Sequence, residues 1–576
     1  MIKLTKKALL LLDKSKRVKV IILFFIMIVG GILESFGVSL VLPLVESINN
    51  SYDLNNSWYS KLICKIFNIY DIKTYIKVLI LLLIIIYLVK NIYLLIEKYI
   101  QNSFISHCKL RTQKQLLSTY YKLPYEYFLN ADFGEILRIM NSDIENSYSL
   151  LLSMLTIYMD LISSILVVSV LIFISPLMSL LVMLLLLFEM LLLARLITPI
   201  MKNIGREDRK YEAESYKSIL ILVNGIKDIK VSNNDKYFIE KYNNNIKKAN
   251  IVEIKNKTIT AIPKLFTETV TIVGVLIIVY IQLLNGHELI DIVPILSAFA
   301  MAAVKLLPSM SSISQLYNTC KFSEGAIDNV LYMMKNLNDS IKISNDHSDI
   351  KIVFEKEIIF NDVEFSYQNT NINILENANF IVKSGESVGI IGASGSGKTT
   401  TVDIILGLLK PSKGSVFVDG IDINENIESW LDNLSYIPQN IYLIDDTIRS
   451  NVAFGINEED ISDERVWEVL KDAKLDKFVE SLPDQLDTRI GERGTRLSGG
   501  QGQRIVIARA LYKNPKLLIF DEATSALDNE TESAIMESIN HLKGKVTMII
   551  IAHRLTTIEH CDSIYKVDNR KIIKQK

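Results

Sequence analysis

Cysteine and histidine are scarce in this 576-residue chain, with four of the first and six of the second. Cys64, Cys108, Cys320 and Cys561 stand too far apart for a zinc site or a disulfide framework. The scattered histidines supply no transition-metal ligand set. Proline (11) and glycine (24) are also sparse, which excludes collagen-like or extensively disordered segments. Charge of one sign is missing too. Lys+Arg 63 against Asp+Glu 64 leaves a net charge of −1. The basic excess of a nucleic-acid binder is absent, so no nucleic-acid partner is expected.

What the chain has in abundance is apolar sequence. Hydrophobic residues make up 49%, and the mean hydropathy of +0.26 is high for a soluble enzyme of this length. The length exceeds one compact core, so at least two domains are expected. The apolar residues gather in Val18–Leu44, Val78–Ile96, Leu150–Ile174, Leu177–Pro199, Ile259–Leu284 and Ile292–Leu307. Each approaches the roughly 20 residues that cross a bilayer. They predict six membrane-spanning helices at about 18–44, 78–103, 150–174, 177–199, 259–284 and 292–315, within a domain over 1–325. The first run is too long for a cleaved signal and lacks a small-residue cleavage site, so a retained span is expected.

Basic residues set the orientation. Lys3 to Arg17, Lys98 to Arg138 and Lys202 to Lys257 flank alternate ends of the spans, while the turns at Ser175 and Asn285 carry no Lys or Arg. The N-terminus and the C-terminal half are thus expected in the cytoplasm, with helices continuing past the bilayer. Between the first two spans, residues 58–70 place Trp58, Leu62 and Ile66, and also Ile63, Phe67 and Tyr70, at helical spacing. Such a helix either rests on the outer leaflet or packs on neighbouring spans.

A polar link is predicted over 326–351. Beyond it, 352–576 alternates short β-branched runs (SVGIIG, SVFVDG, LLIF, VTMIIIAH) with helical patterns, the signature of an α/β domain. Within it, Gly392, Ala393, Ser394, Gly395, Ser396, Gly397, Lys398 and Thr399 spell GASGSGKT between a strand-like and a helix-like segment. That is a P-loop in the right context. Its glycines let backbone N–H groups face phosphate oxygens, Lys398 adds a charge, and the Thr399 hydroxyl can ligate Mg²⁺. Thr400 follows in the same helix. Downstream, LLIF ends in Asp521 and Glu522. The first suits an Mg²⁺-supporting carboxylate and the second a base that polarises the attacking water.

Leu497–Arg504 reads LSGGQGQR, and the sequence here resembles the ATP-binding cassette family, whose signature is LSGGQ. The resemblance implies a membrane all-α six-helix exporter domain followed by an α/β P-loop ATP-binding cassette, with ATP and Mg²⁺ as cofactors. It implies that Tyr367 stacks on adenine and that Gln439 in YIPQN touches Mg²⁺ and the membrane domain. Ser498, Gly499, Gly500 and Gln501 would meet a nucleotide held by another cassette. Asp528 in SALD would form the D-loop, and His553 in IAHR would be the switch histidine. One P-loop and one signature per chain imply that it pairs, as a homodimer with two composite sites or as a heterodimer with a related chain. Ala131–Asp143 and Asn224–Asn233 resemble exporter loops that couple the two domains. A non-transport ATPase such as a translation or repair factor is the rival class, and six spans argue against it.

Charges inside the spans bear on the cargo. Lys90 lies about twelve residues, or ~18 Å, from the outer end of its span. Lys264 follows Pro263 in the fifth span and Lys305 lies in the sixth. Charges at such depth are expensive and face an interior or an aqueous cavity. Each lysine serves either an anionic ligand or a companion such as Glu34, Asp160, Glu189 or Glu268. Together with ESFGVSLVLP, AIPKL, AVKLLP and the outer helix, they make the membrane half similar to the bacterial lipid-linked oligosaccharide flippases. That similarity implies a polyprenyl-pyrophosphate glycan moved across the bacterial inner membrane. All three lysines stand where the family pattern has arginine, so a point charge replaces a bidentate fork. A general lipid or multidrug exporter is the alternative.

Overall fold

Three N-terminal helices are far longer than a bilayer is thick. Ile72–Tyr120 and Pro176–Asn224 have 49 residues each and Asp235–Leu284 has 50. At 1.5 Å per residue these reach ~74 Å, against ~30 Å of hydrocarbon. The computed structural model describes residues 2–39, 58–68, 71–174, 176–284, 289–344, 350–367, 370, 372–491, 494–522, 537, 539, 542–552 and 558–576. Within the helices some side chains, those of Glu34 and Lys305 among them, lie outside that description. Two units result. Met1–Leu123 with Ala131–Ile341 forms one, and Pro124–Asn130 with Lys342–Lys576 forms the other.

In the helical unit, Lys14–Ser39 packs on Ile72–Tyr120 and Ile144–Ile174. Leu289–Phe322 packs on Ile144–Ile174, Pro176–Asn224 and Asp235–Leu284. Pro176 opens its helix at the first position, where a missing N–H costs nothing. Among the described residues, three helices are long and apolar enough to cross a membrane: Ile72–Tyr120, Phe133–Ser169 and Met183–Asn224. Their outer faces are apolar. Leu88 is 61% exposed, Leu95 73% and Phe188 68%, a surface that water would not tolerate and lipid would cover.

Trp58–Phe67 is helical and divides its contacts. Ile63 and Cys64 pack on buried Tyr75 and Leu79, whereas Leu62, Ile66 and Phe67 stay exposed. Both readings of this segment therefore have a face of their own.

The stretch taken as a polar link is mostly helix, Glu324–Ser344. Ala326, Ile327, Val330 and Met333 are buried at helical spacing, so an apolar stripe overrides the polar composition around it. The exporter-like loops Ala131–Asp143 and Asn224–Asn233 lie in the helical unit, and the segment that groups with the cassette is Pro124–Asn130. Asp132 caps the helix Phe133–Arg138 and pairs with Lys217 at 3.3 Å, which ties the 131–143 stretch to Pro176–Asn224.

Beyond that cap, Arg138 and Asp143 form a buried ion pair at 2.7 Å, with side chains only 4% and 0% exposed. Asn329 Nδ2 donates to the same Asp143 carboxylate at 3.1 Å. Removing one partner leaves an uncompensated buried charge. Asp143→Ala is expected to cost about 3–5 kcal/mol. The check is thermal unfolding of the detergent-solubilised protein beside wild type, where an unchanged melting temperature would refute it.

The second unit contains two sheets. Four strands, β1 (Glu357–Ser366), β2 (Asn373–Lys383), β4 (Lys413–Val418) and β5 (Ile421–Asp422), form an antiparallel sheet ordered β2-β1-β4-β5. Alternate burial along β1 matches a sheet with one covered face. The run SVFV thus lies in this sheet. A second sheet is ordered β10-β9-β3-β8-β7-β6. Its strands are β3 (Ser387–Ile391), β6 (Leu434–Ile437), β7 (Leu517–Asp521), β8 (Thr547–Ile551), β9 (Ser563–Asp568) and β10 (Lys571–Lys574). All its pairings are parallel except β10 with β9. The strands β7 and β8 are buried at every position, as parallel strands covered on both faces must be.

Candidate functional site

Parallel strands deliver their C-terminal ends to one edge of a sheet, where α/β proteins bind ligands. Here Ile390 of β3 pairs with Ile551 of β8, and Ile551 pairs with Asp521 of β7. On the far side of β7, Ile437 of β6 pairs with Phe520. The chain continues from β3 into the P-loop, from β7 into Glu522, and from β6 into Pro438 and Gln439. Three segments distant in sequence thus open on a single edge.

The loop has the backbone that phosphate binding requires. Gly395 (φ +76°) and Gly397 (φ +107°) are left-handed, and a Cβ on Gly397 would come within 3.0 Å of Ile374. A Cβ on Gly392 would meet Ser396 Oγ and the Val567 carbonyl at 2.5 Å. Lys398 is buried at the start of the helix Lys398–Ile405, and its Nζ donates to the carbonyls of Gly392 (3.0 Å) and Ala393 (3.1 Å). Ser396 Oγ is buried without a hydrogen-bond partner in the chain, a polar atom suited to an anion in the loop. Ala393, Ser394 and Thr399 are exposed. The Thr400 hydroxyl bonds the Tyr367 hydroxyl at 3.0 Å, and Tyr367 stands edge-on to Phe365.

Asp521 is buried and accepts from the Tyr436 hydroxyl at 2.9 Å. Glu522 is half-buried with φ +48°, a left-handed conformation in which a side chain is strained and which recurs at functional sites. Gln439 Nε2 donates to Glu522 Oε2 at 2.8 Å. The available donors, the Thr399 hydroxyl, the Gln439 amide oxygen and the Asp521 carboxylate, are oxygens, which suit a hard divalent cation.

Ser498 caps the helix Gly499–Tyr512 with a reciprocal capping box: Ser498 Oγ accepts from Gln501 N, and Gln501 Oε1 from Ser498 N. Gly499 has open space where a Cβ would lie, and Gly500 is buried behind it. A helix N-terminus with accessible glycine is a good anion-facing surface. Asp528 and His553 lie outside the described residues.

Two residues with no motif to announce them stand in this site. Burial and the nearby Asp521 carboxylate push Asp403 up to about 6. Burial together with Asp521 pushes the Tyr436 phenol up, so its hydroxyl stays protonated and donates. The signal for Asp403 is a carboxylate one turn beyond Thr399 in an apolar helix. Tyr436 precedes Gln439 by three positions in a strand.

The spans keep their lysines less close. Lys90 Nζ lies over the Tyr87 ring, 4.5 Å from its centroid. Lys264 is exposed, and of Lys305 only the helix that carries it is described. The helices of Lys264 and Lys305 pack on each other, whereas that of Lys90 packs on Lys14–Ser39 and Ile144–Ile174. Glu189, a companion considered for these lysines, is buried and accepts from the Thr267 hydroxyl instead.

Fold and site together define a P-loop nucleotide cassette joined to a helical membrane domain. Comparison with known proteins agrees: residues 20–301 match the ABC transporter transmembrane region and residues 375–525 the ABC transporter domain. The chain belongs to the ABC transporters and has the half-transporter layout of exporters. An ATP-dependent lipid A-core flippase of Francisella novicida is 36% identical over 278 residues, which is 48% of this chain and 46% of that protein. The chain thus spans about half the length of the first curated relatives it matches. The same-named flippase of Legionella pneumophila is 29% identical over 79% of this chain and 76% of its own. An ABC multidrug transporter, mdr1 of Aspergillus fumigatus, is 40% identical over 43% of this chain and 19% of its own. Among solved structures, a bacterial Atm1-family ABC exporter with ATP bound has a TM-score of 0.75 at 21% identity, covering 97% of this chain and 95% of that one.

The elevated Asp403 has a testable consequence. Its ordinary value is 3.8 and its folded value about 6. The folded state therefore holds the proton more tightly, and the stability this confers is lost as pH rises through that window. Asp403→Asn should raise the melting temperature of the nucleotide-free protein at pH 7.5, and by less at pH 5. An equal effect at both pH values would contradict this.

Proposed function

We propose that this protein is an ATP-hydrolysing flippase that moves a polyprenyl-pyrophosphate-linked oligosaccharide from the inner to the outer leaflet of a bacterial cytoplasmic membrane. It works as a homodimer, with its N-terminus and cassette in the cytoplasm. The observation that carries the ATPase reading is the convergence of the P-loop, Gln439, Asp521 and Glu522 on one sheet edge.

In this reading Gly392–Thr400 cradles the phosphates, with Lys398 turning from its loop carbonyls to the β and γ oxygens. Tyr367 faces the adenine. Thr399, Gln439 and Asp521 would hold Mg²⁺, which when bound neutralises charge shared by the β and γ phosphates. Glu522 accepts a proton from the attacking water, and Gln439 keeps its carboxylate oriented. His553 contacts the γ-phosphate. Ser498, Gly499, Gly500 and Gln501 of each copy close on the nucleotide of the other, and Asp528 lines the same interface. ATP binds the closed pair better than the open pair, and that difference in affinity moves the spans. Glu522→Gln should lower turnover by about 10²–10⁴-fold, the range of a general base, with nucleotide binding retained. Full hydrolysis by the variant would remove Glu522 from the role.

The lysines favour an anionic cargo. Lys90, Lys264 and Lys305 put fixed positive charge on three spans, and a second copy doubles it. The lipid flippases among the relatives support a lipid cargo. The multidrug relative matches over 43% of this chain against 79% for the flippase of Legionella pneumophila, which favours the general-exporter alternative less. In liposomes with a defined lipid-linked oligosaccharide, replacing all three lysines by glutamine should slow flipping on the order of tenfold or more, the scale of lost charge-assisted hydrogen bonds. Unimpaired flipping, or stronger stimulation by hydrophobic cations than by the glycolipid, would favour the alternative.

A further inference from the structure

Asp521 needs a fixed orientation if it is to receive a metal ion, and a strand-end carboxylate can turn about two bonds. The described donor to it is Tyr436, whose hydroxyl reaches Oδ2 at 2.9 Å. Tyr436 is well placed to hold this bond. It lies on β6 next to β7, with Tyr436 paired to Ile519 and Ile437 to Phe520, so its ring is carried by the same ladder that carries Asp521. A neutral phenol can orient the carboxylate without competing for it, as a lysine or arginine would. Lys398, the cation within reach of Asp521, is engaged with the loop carbonyls of Gly392 and Ala393.

We propose that Tyr436 is a positioning residue that sets the Asp521 carboxylate for the nucleotide-bound metal. This rests on the ATPase reading above.

The experiment uses the full chain in detergent with a non-hydrolysable ATP analogue and Mn²⁺, read by electron paramagnetic resonance. If wild type takes up no Mn²⁺ with the analogue, the underlying reading fails. Given wild-type uptake, Tyr436→Phe should raise the Mn²⁺ concentration at half-saturation by about tenfold, the scale of one hydrogen bond to a charged group. Binding of a fluorescent ATP analogue in EDTA should stay at the wild-type value, which a merely structural or misfolding effect would not spare. An unchanged Mn²⁺ half-saturation overturns the proposal, as does equal loss of metal-free nucleotide binding.

Discussion

Parallel pairing of β3, β8, β7 and β6 is the constraint on which the cassette depends. Parallel strands cannot be joined by tight turns, so each is followed by a long excursion, and every excursion starts at the same edge. The P-loop, Gln439, Asp521 and Glu522 are gathered by that rule. Covered on both faces, the central strands are uniformly apolar, which leaves the strand ends as the place where charge is tolerated. The site's polar residues accordingly sit at strand ends and helix starts. They bond across them: Tyr436 to Asp521, Gln439 to Glu522, Tyr367 to Thr400.

The helical unit obeys a different constraint. Its apolar residues face outward, where a water-soluble protein would carry charge, and its buried polar groups lie between helices. Glu189 accepts from Thr267, and Arg138 donates to Asp143. Inside a span, where Glu189 lies, there is no water to turn to and such a group needs an internal partner. Lys90, resting over Tyr87 with a partly exposed side chain, is a cation held near apolar surface and still available to an anion. That availability is what a phosphate-bearing cargo would use.

Much of the cassette is legible in the linear sequence. SVGII, LLIF and TMIII are short apolar runs bounded by turn residues, and each is a strand. GASGSGKT and LSGGQ sit at helix starts because glycine and serine there satisfy backbone geometry and caps. Other features are hidden. The helix Glu324–Ser344 is obscured by its polar residues, since among its described side chains a narrow stripe is buried. Asp403 resembles a solvated helix residue until Asp521 is placed beside it. Tyr436 reads as an ordinary strand aromatic. The segment 124–130 carries no motif, and its grouping with the cassette depends on contacts made far along the chain.

Composition and local pattern by themselves determined that this chain enters a membrane, that a nucleotide cassette follows, and where its P-loop lies. Those properties depend on runs and spacings within about 25 residues, where hydrophobic length, glycine geometry and helix capping act locally. Only the tertiary structure decided which carboxylate meets which donor. Tyr436 and Asp521 are 85 residues apart, and Gln439 and Glu522 are 83. Such pairs follow from the order of strands in a sheet, and that order is set by the packing of the whole core rather than by any one segment.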